Sequence, residues 1–221
     1  MNEYQKEIEE LVRLMKEAGF TIGKRNQEYK DSGFVAPLTK PRSEIDSHEY
    51  VDLGLSVKWA TCNVGATSPE GYGYYFAWGE TSPKSSYTED NSKTYKKDYG
   101  DIAGNPALDA ARANWGGTWR LPTVGEIYEL LDNCNKKWTT MNGVKGYRFK
   151  SKENGNSIFL PAAGIREGSS LECAGSEAYF WSSTPFHSPD KDCAYFLDFL
   201  DLIVNYHYRY VGFSVRPVSE W

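Results

Sequence analysis

The side chains best suited to bind a partner lie near the C-terminus, in an irregular mixture of aromatic, aliphatic and acidic residues. Along the run Ala194–Phe199, strand alternation places Phe196 and Asp198 on the face opposite Leu197. If Leu197 packs in a core, Phe196 and Asp198 face solvent. Exposed aromatic and aliphatic side chains are typical of protein interfaces. The alternative is a buried central hairpin, in which an unpaired carboxylate would be costly.

Catalytic and metal-binding chemistry has little support in the sequence. No two cysteines have the CxxC spacing of a zinc or redox site, and no histidine has a partner at ligand spacing. The motifs GxxxxGK[ST], HExxH and GxSxG are absent. The isolated residues are Cys62, Cys134, Cys173, Cys193, His48, His187 and His207. We therefore predict no catalytic residue, no metal site and no cofactor.

The overall charge and hydropathy narrow the choice of partners. The chain has 221 residues and a formal net charge of -5. Because binding to a nucleic-acid backbone depends on clustered lysine and arginine, we predict no nucleic-acid partner. No apolar run approaches the ~18 residues of a membrane span, and the charged N-terminus has no signal-peptide core. The protein is expected to stay inside the cell, to leave by lysis or particle assembly, or to have been separated from a leader.

Residues 1–47 are expected to form a helix followed by a linker or arm. An amphipathic helix is predicted over residues 3–18, because the apolar residues from Ile8 to Ala18 recur at three- and four-residue steps. Residues 21–47 are polar and rich in turn formers, as in a linker. The helix either docks on its own domain or serves for homo-oligomerisation or attachment, and the sequence leaves both open.

After the linker, short β-type runs alternate with Gly, Asn and Ser turns, which indicates an α+β domain. The predicted strands are Tyr50–Leu53, Val57–Ala60, Tyr72–Trp78, Tyr147–Phe149, Ile158–Leu160 and Phe213–Val215. One helix is predicted over about Pro106 to Asn114 and another over Val124 to Asn133. Thr123 is the expected N-cap of the second, with Glu126 at the capping-box position. The polar loop from Thr81 to Asp101 is long enough to indicate a functional or mobile segment.

Several segments of this domain carry a family resemblance. They are YVDLGLSVKWATCNVGA at Tyr50–Ala66, WRLPT at Trp119–Thr123, GNSIFLPAAG at Gly155–Gly164, FWSST at Phe180–Thr184 and GFSVRPV at Gly212–Val218. In this order they resemble a large bacterial family of paralogous extracellular or virion domains with a C-type-lectin-like fold, related in fold to formylglycine-generating enzymes. The resemblance covers about residues 48–221 and implies two helices, short β-strands and much irregular loop, with the N-terminal helix outside it.

The C-terminal part resembles, more narrowly, the variable proteins of diversity-generating retroelements. In such systems a reverse transcriptase copies a template with errors at adenines, so asparagine codons become codons for other residues. A randomised AAC or AAT codon cannot encode Glu, Gln, Met, Trp or Lys. From Ser182 to Val218 there is no Glu, Gln, Met or Trp, and Lys191 would have to be a fixed position. β-rich stretches are poor in Glu in any case, so this pattern adds to the resemblance that the motifs carry.

The resemblance divides residues 180–218 into a fixed frame and a variable set that contacts ligand. The frame includes Trp181, Tyr195, Leu197 and Arg216, and Arg216 is expected to anchor the final strand through a buried ion pair or hydrogen bond. The candidate variable positions are Phe186, His187, Asp192, Cys193, Phe196, Asp198, Leu200, Asp201, Leu202, Ile203, Tyr206, His207, Tyr208 and Val211.

The predicted function is therefore ligand or receptor binding by a hypervariable surface, and not catalysis. The expected partner is a macromolecular surface ligand, a protein or a glycan. The helix and the lack of a visible leader favour a phage or prophage tail component over an anchored surface protein.

Two alternatives come with the resemblance. A formylglycine-generating-like enzyme needs a reactive cysteine pair, for which Cys173 and Cys193 are the late candidates. A calcium-dependent glycan-binding lectin needs several oxygen ligands, and the EPN-, QPD- and WND-type motifs of that class are absent around Asp190 and Asp192.

Overall fold

The computed structural model describes residues 43–45 and 48–221. The predicted N-terminal helix and nearly all of the predicted arm lie outside the described residues. The described part is mostly β-sheet with two α-helices, which confirms the α+β class expected from the sequence.

The elements are short and follow one another closely along the chain. The strands are β1 (Ser43–Ile45), β2 (His48–Val51), β3 (Lys58–Ala60), β4 (Tyr75–Phe76), β5 (Trp119–Arg120), β6 (Cys134–Met141), β7 (Val144–Ser151), β8 (Ser157–Pro161), β9 (Ile165–Glu167), β10 (Ser170–Glu172), β11 (Tyr179–Pro185), β12 (Cys193–Asp198), β13 (Ile203–Tyr208), β14 (Phe213–Ser214) and β15 (Val218–Ser219). The helices are α1 (Ala110–Trp115) and α2 (Val124–Asn133), and a 3₁₀ turn covers Glu89–Asn91.

Two five-stranded sheets organise the described part of the chain. One has the order β1-β2-β3-β15-β5, so the last strand lies between β3 and β5. The other has the order β13-β12-β11-β14-β4, in which β12 pairs antiparallel with both β11 and β13. A three-stranded sheet β6-β7-β8 and a two-stranded sheet β10-β9 accompany them. In the second sheet β12 is therefore an inner strand and β13 an edge strand.

Side-chain caps determine where both helices begin. Thr123 accepts a hydrogen bond from the backbone N–H of Glu126 (3.3 Å), and the Glu126 carboxylate accepts one from the backbone N–H of Thr123 (2.8 Å). This capping box confirms the predicted start of α2. The start of α1 was predicted too early, at Pro106. The helix begins at Ala110, because the Asp109 carboxylate accepts from two backbone N–H groups of the first turn.

Apolar clusters cover both faces of the sheet that contains β12. On one face Leu197 and Phe180 pack with the apolar stripe of α2. On the other face Phe196 packs with Trp181 and Phe213. Strand β12 is thus buried on both faces. Its neighbour β13 pairs with it at the edge of the sheet.

Arg216 anchors the chain just before β15. Its buried guanidinium donates to the Asn63 side-chain oxygen from Nε (2.8 Å). The other donors reach the backbone oxygens of Ala60 (3.0 Å), Thr61 (2.7 Å) and Phe159 (3.1 Å). The predicted anchor is confirmed, and it works through hydrogen bonds to neutral groups.

Candidate ligand-binding surface

Four of the predicted variable positions are buried, contrary to expectation. Phe196 is 2% exposed, and its ring centroid lies 4.8 Å from that of Phe213 and 6.2 Å from that of Trp181. Val211 is buried in the same cluster. The expectation that Phe196 faces solvent is wrong, because alternation separates two faces of a strand but does not show whether one of them is free. Here the core covers both faces.

Asp198 is buried as well, and its carboxylate holds the turn between β12 and β13. Oδ1 accepts a hydrogen bond from the backbone N–H of Leu200 (2.8 Å), and Oδ2 accepts one from Nδ2 of Asn205 (3.2 Å). These two bonds offset part of the cost of burying a charge. The expectation that Asp198 faces solvent is therefore also wrong, since the residue shapes the backbone of the turn.

Cys193 is the fourth buried position. Burial, together with the hydrogen bond and negative charge of Asp192, raises the pKa of the Cys193 thiol to about 12. The thiolate is the reactive form of cysteine, so this side chain is a neutral thiol at physiological pH. Cys173, the other late cysteine, is exposed and is likewise a free thiol.

The other predicted positions are wholly or partly accessible, and they lie on three segments. They are Phe186, His187 and Asp192 in the loop before β12, Leu200, Asp201 and Leu202 in the turn, and Ile203, Tyr206, His207 and Tyr208 on β13. Leu200 is 67% exposed, Tyr206 50% and Tyr208 43%. Large apolar and aromatic side chains at this exposure mark a surface suited to binding.

Two stacks of aromatic rings stand at the end of β13 that is distant from the turn. Phe186 stacks on Tyr206, with centroids 3.9 Å apart and planes 6° from parallel. Tyr208 stacks on Tyr210 at 5.4 Å and 10°, and Tyr95 meets both of these rings edge-on. Rings held in this way lose little further freedom when a ligand binds, so the surface is pre-organised.

A cleft of about 430 Å³ opens beside these stacks, and we call it the aromatic cleft. Its lining residues are Phe186, Ser188, Asp190, Asp192, Cys193, Tyr206, His207 and Tyr208. The volume lies within the range of small-ligand sites, about 300 to 1,000 Å³. Six of the eight lining residues belong to the predicted variable set, so the structure brings this part of the set together at one place.

His207 lines the cleft, and its ring lies near two aromatic rings of the core. Its ring centroid lies 5.7 Å from that of Phe213 and 6.3 Å from that of Phe196, and its Nδ1 accepts a hydrogen bond from the backbone N–H of Tyr208. Burial lowers the pKa of His207 below its usual value of 6.5, against the opposing charge of Glu167. The imidazole is therefore neutral at physiological pH.

The hairpin turn forms a second accessible group. Leu202 has a φ of +53°, in the left-handed region that is unfavourable for a leucine side chain. Phe199, which precedes the exposed Leu200 in the chain, meets the ring of Tyr147 edge-on at 5.1 Å, and Tyr147 meets the exposed Trp138 at 4.9 Å between ring centroids. Strands β6 and β7 thus add aromatic side chains near the turn.

Arg209 fixes the frame around the aromatic cleft. Its Nε donates to the backbone oxygen of Cys193 (2.9 Å), and Nη1 donates to that of Lys97 (2.8 Å). The guanidinium also lies over the ring of Trp78, 4.3 Å from its centroid. These contacts join the loop that carries Tyr95 to the hairpin, which explains how that ring reaches the stack.

Several aromatic residues of this surface were absent from the predicted set. They are Tyr95, Trp138, Tyr147, Tyr195 and Tyr210. The unusual length of the loop from Thr81 to Asp101 was a usable signal for Tyr95. Tyr195 was assigned to the fixed frame and not to the surface, but it is half-buried and lies edge-on to Phe186 at 5.4 Å.

The function of this surface does not follow from similarity to known proteins. No family model, curated protein or solved structure matches the chain. Among residues 48–221, His, Cys, Asp and Glu side chains form no group of three that could hold a metal ion. No helix in the described part of the chain is long and apolar enough to cross a membrane. Function is therefore inferred from the surface residues themselves.

Proposed function

We propose that this chain is a ligand- or receptor-binding protein that displays a diversified surface on a C-type-lectin-like domain. It serves as an adhesion module of a phage or a bacterial cell surface, and a diversity-generating retroelement varies its binding positions. Its partner is a macromolecular surface ligand, a protein or a glycan.

The observation that carries this proposal is the location of the predicted variable residues. Ten of them are accessible on β13, on the turn before it and in the loop before β12. The frame residues between them, such as Leu197 and Arg209, are buried and hold the backbone. Pre-stacked aromatic rings beside a cleft resemble the rigid anchors of binding loops in antibodies, which gain contact area at a low entropy cost.

The α+β architecture supports the C-type-lectin-like fold that the motifs imply. Trp119–Thr123 leads into the capping box of α2, and Phe180–Thr184 lies within the inner strand β11. Gly212–Val218 carries β14, the Arg216 anchor and the first residue of β15. The motif residues thus hold structural positions, as residues of a fixed scaffold should.

Neither alternative has a specific observation in its favour. The raised pKa of the Cys193 thiol is opposite to what a cysteine nucleophile needs. A calcium site needs about 6 to 8 oxygen ligands, and Asp190 and Asp192 are two carboxylates at the rim of an aromatic cleft.

Two matched libraries test the proposal. One randomises the ten accessible positions with the adenine-mutated AAC codon mixture, and the other applies the same mixture to Cys193, Phe196, Asp198 and Val211. We expect most members of the first library to fold and most members of the second to unfold, because close-packed cores tolerate few changes. The measurement is the fraction of displayed clones that survive protease. Equal loss of folding in both libraries would contradict the proposal.

The neighbouring DNA tests the origin of the diversity. We expect a reverse-transcriptase gene and a near-repeat of the Ser182–Val218 coding region that differs at adenines. The differences should fall in codons for accessible positions and spare those for Phe196 and Asp198. A coding region with no such repeat would remove the retroelement from the proposal and leave the binding surface to be judged by the libraries.

A further inference from the structure

The aromatic cleft combines open ring surface with charge of one sign. Tyr206 and Tyr208 project from the same face of β13 and remain 50% and 43% exposed, and Phe186 lines the cleft beside them. The charged side chains in the lining are Asp190 and Asp192, and no lysine or arginine is among the lining residues.

The Asp192 carboxylate is held in place and ionised. It accepts a hydrogen bond from the Ser188 hydroxyl at 2.8 Å. Burial by itself raises the pKa of Asp192, but the hydrogen bonds from Ser188, Cys193 and the backbone, together with the positive charge of Arg209, outweigh burial and keep that pKa below its usual value. Because His207 and Cys193 are neutral at physiological pH, the side chains of the cleft carry net negative charge.

The cations around the cleft are engaged with other groups. The Lys191 ammonium pairs with Asp98 at 2.5 Å, and the Lys96 ammonium pairs with Glu89 at 2.9 Å. Arg209 is directed inward to backbone oxygens and the Trp78 ring. Within residues 48–221, neither Asp190 nor Asp192 forms an ion pair. Asp190 is thus available to a charged ligand, and the Asp192 carboxylate keeps acceptor capacity beside its hydrogen bonds from Ser188 and Cys193.

We propose that the aromatic cleft binds a cationic side chain of a partner protein, an arginine guanidinium. Aromatic faces attract cations, and a planar guanidinium both stacks on rings and donates two parallel hydrogen bonds to a carboxylate. The cleft offers both kinds of contact side by side, and its volume of about 430 Å³ admits the side chain with its backbone. This inference rests on the proposed binding function and narrows the ligand to a basic protein segment.

A pair of small probes of the same shape tests the inference on the full chain. N-acetylarginine amide and its neutral isostere N-acetylcitrulline amide are titrated while the amide resonances of the cleft residues are followed by NMR. We expect the arginine probe to bind roughly tenfold more tightly than the citrulline probe. Equal binding of the two probes, or no shift of cleft resonances with either, would overturn the inference.

Two matched substitutions locate the effect. Asp192→Asn, which keeps an acceptor for Ser188, should remove most of the preference for arginine, whereas Asp132→Asn on the exposed end of α2 should leave it unchanged. Tyr206→Ala should weaken binding of the arginine probe, whereas Tyr74→Ala, with the same 50% exposure, should not. Loss of the preference in the control variants would also overturn the inference.

The outcome separates this inference from the proposed function. The accessible positions could tolerate randomisation while the cleft fails to bind the arginine probe. The proposed binding function would then stand, and only the arginine inference would be wrong. A protein that fails the library test loses the proposed function whatever the probe does.

Discussion

Strands β12 and β13 belong to one hairpin and pair residue by residue, from Cys193 with Tyr208 to Asp198 with Ile203, yet they differ in burial. Every residue of β12 except Tyr195 is buried. No residue of β13 is buried, and Ile203, Tyr206 and Tyr208 are exposed. Composition does not account for the difference, because both strands mix aromatic, aliphatic and polar residues.

The difference follows from position in the sheet. Strand β12 has a partner on each side and a core cluster on each face, so its side chains determine packing. Strand β13 is an edge strand that pairs with β12, and its exposed side chains Ile203, Tyr206 and Tyr208 lie outside the core clusters. An edge strand can therefore present side chains that core packing does not fix, while the inner strand beside it holds its backbone in place.

The largest effect we expect comes from truncating one ring on each strand. Phe196→Ala should lower the free energy of unfolding by about 3 to 5 kcal/mol, because it opens a cavity among Trp181 and Phe213. Tyr206→Ala should cost about 1 kcal/mol or less, since the ring is half exposed and loses mainly its stack on Phe186. Urea denaturation of the two variants measures both values. Similar losses in both would place Tyr206 in the core and end the contrast between the strands.

A smaller effect is expected for two aspartates that lie three residues apart. Asp198→Ala should cost about 1 to 3 kcal/mol, because it leaves the Leu200 N–H and the Asn205 amide without their acceptor. Asp201→Ala, at an exposed turn position, should stay within about 0.5 kcal/mol of the parent protein. Thermal unfolding compares the two, and Asp198→Asn should recover part of the loss because it keeps the acceptor for Leu200. If the Asp201 variant were as unstable as the Asp198 variant, burial of the aspartate would not explain the loss of stability.

The parts of the fold that follow from local signals could be predicted from the sequence. The α2 helix starts where Thr123 and Glu126 indicate, because a capping box is complete within four residues. Strand β6 was missed, because its side chains are polar and largely exposed and give no apolar alternation. The stretch 194–199 was recognised as a strand, but its burial depends on pairing with β11 and on Phe213, which come from distant parts of the chain.

The sequence indicated where accessible aromatic side chains lie, but not which side chains of that stretch are accessible. The stretch from Ser182 to Val218 does hold the accessible aromatics of β13, and the irregular mixture of residue types pointed to it. Which of these side chains are exposed depends on tertiary packing, and strand alternation therefore could not show that Phe196 is buried. The Tyr95 ring reaches Tyr208 from a loop more than 100 residues earlier, and no spacing in the sequence predicts that contact.

The smallest expected effect concerns His207 of β13, whose ring lies near the buried rings of Phe196 and Phe213. Burial against Phe196 and Phe213 lowers its pKa, so the folded protein resists a proton that the unfolded chain takes up near pH 6.5. The folded state then binds fewer protons than the unfolded state, and the stability that His207 contributes above that pH is lost as the pH falls. Between pH 7 and pH 5 the melting temperature of the parent protein should fall more than that of His207→Phe, and NMR of the His207 ring should give a midpoint below 6.5. A midpoint at or above 6.5 would mean that burial does not control the protonation of this ring, and the predicted loss of stability at low pH would not be attributable to it.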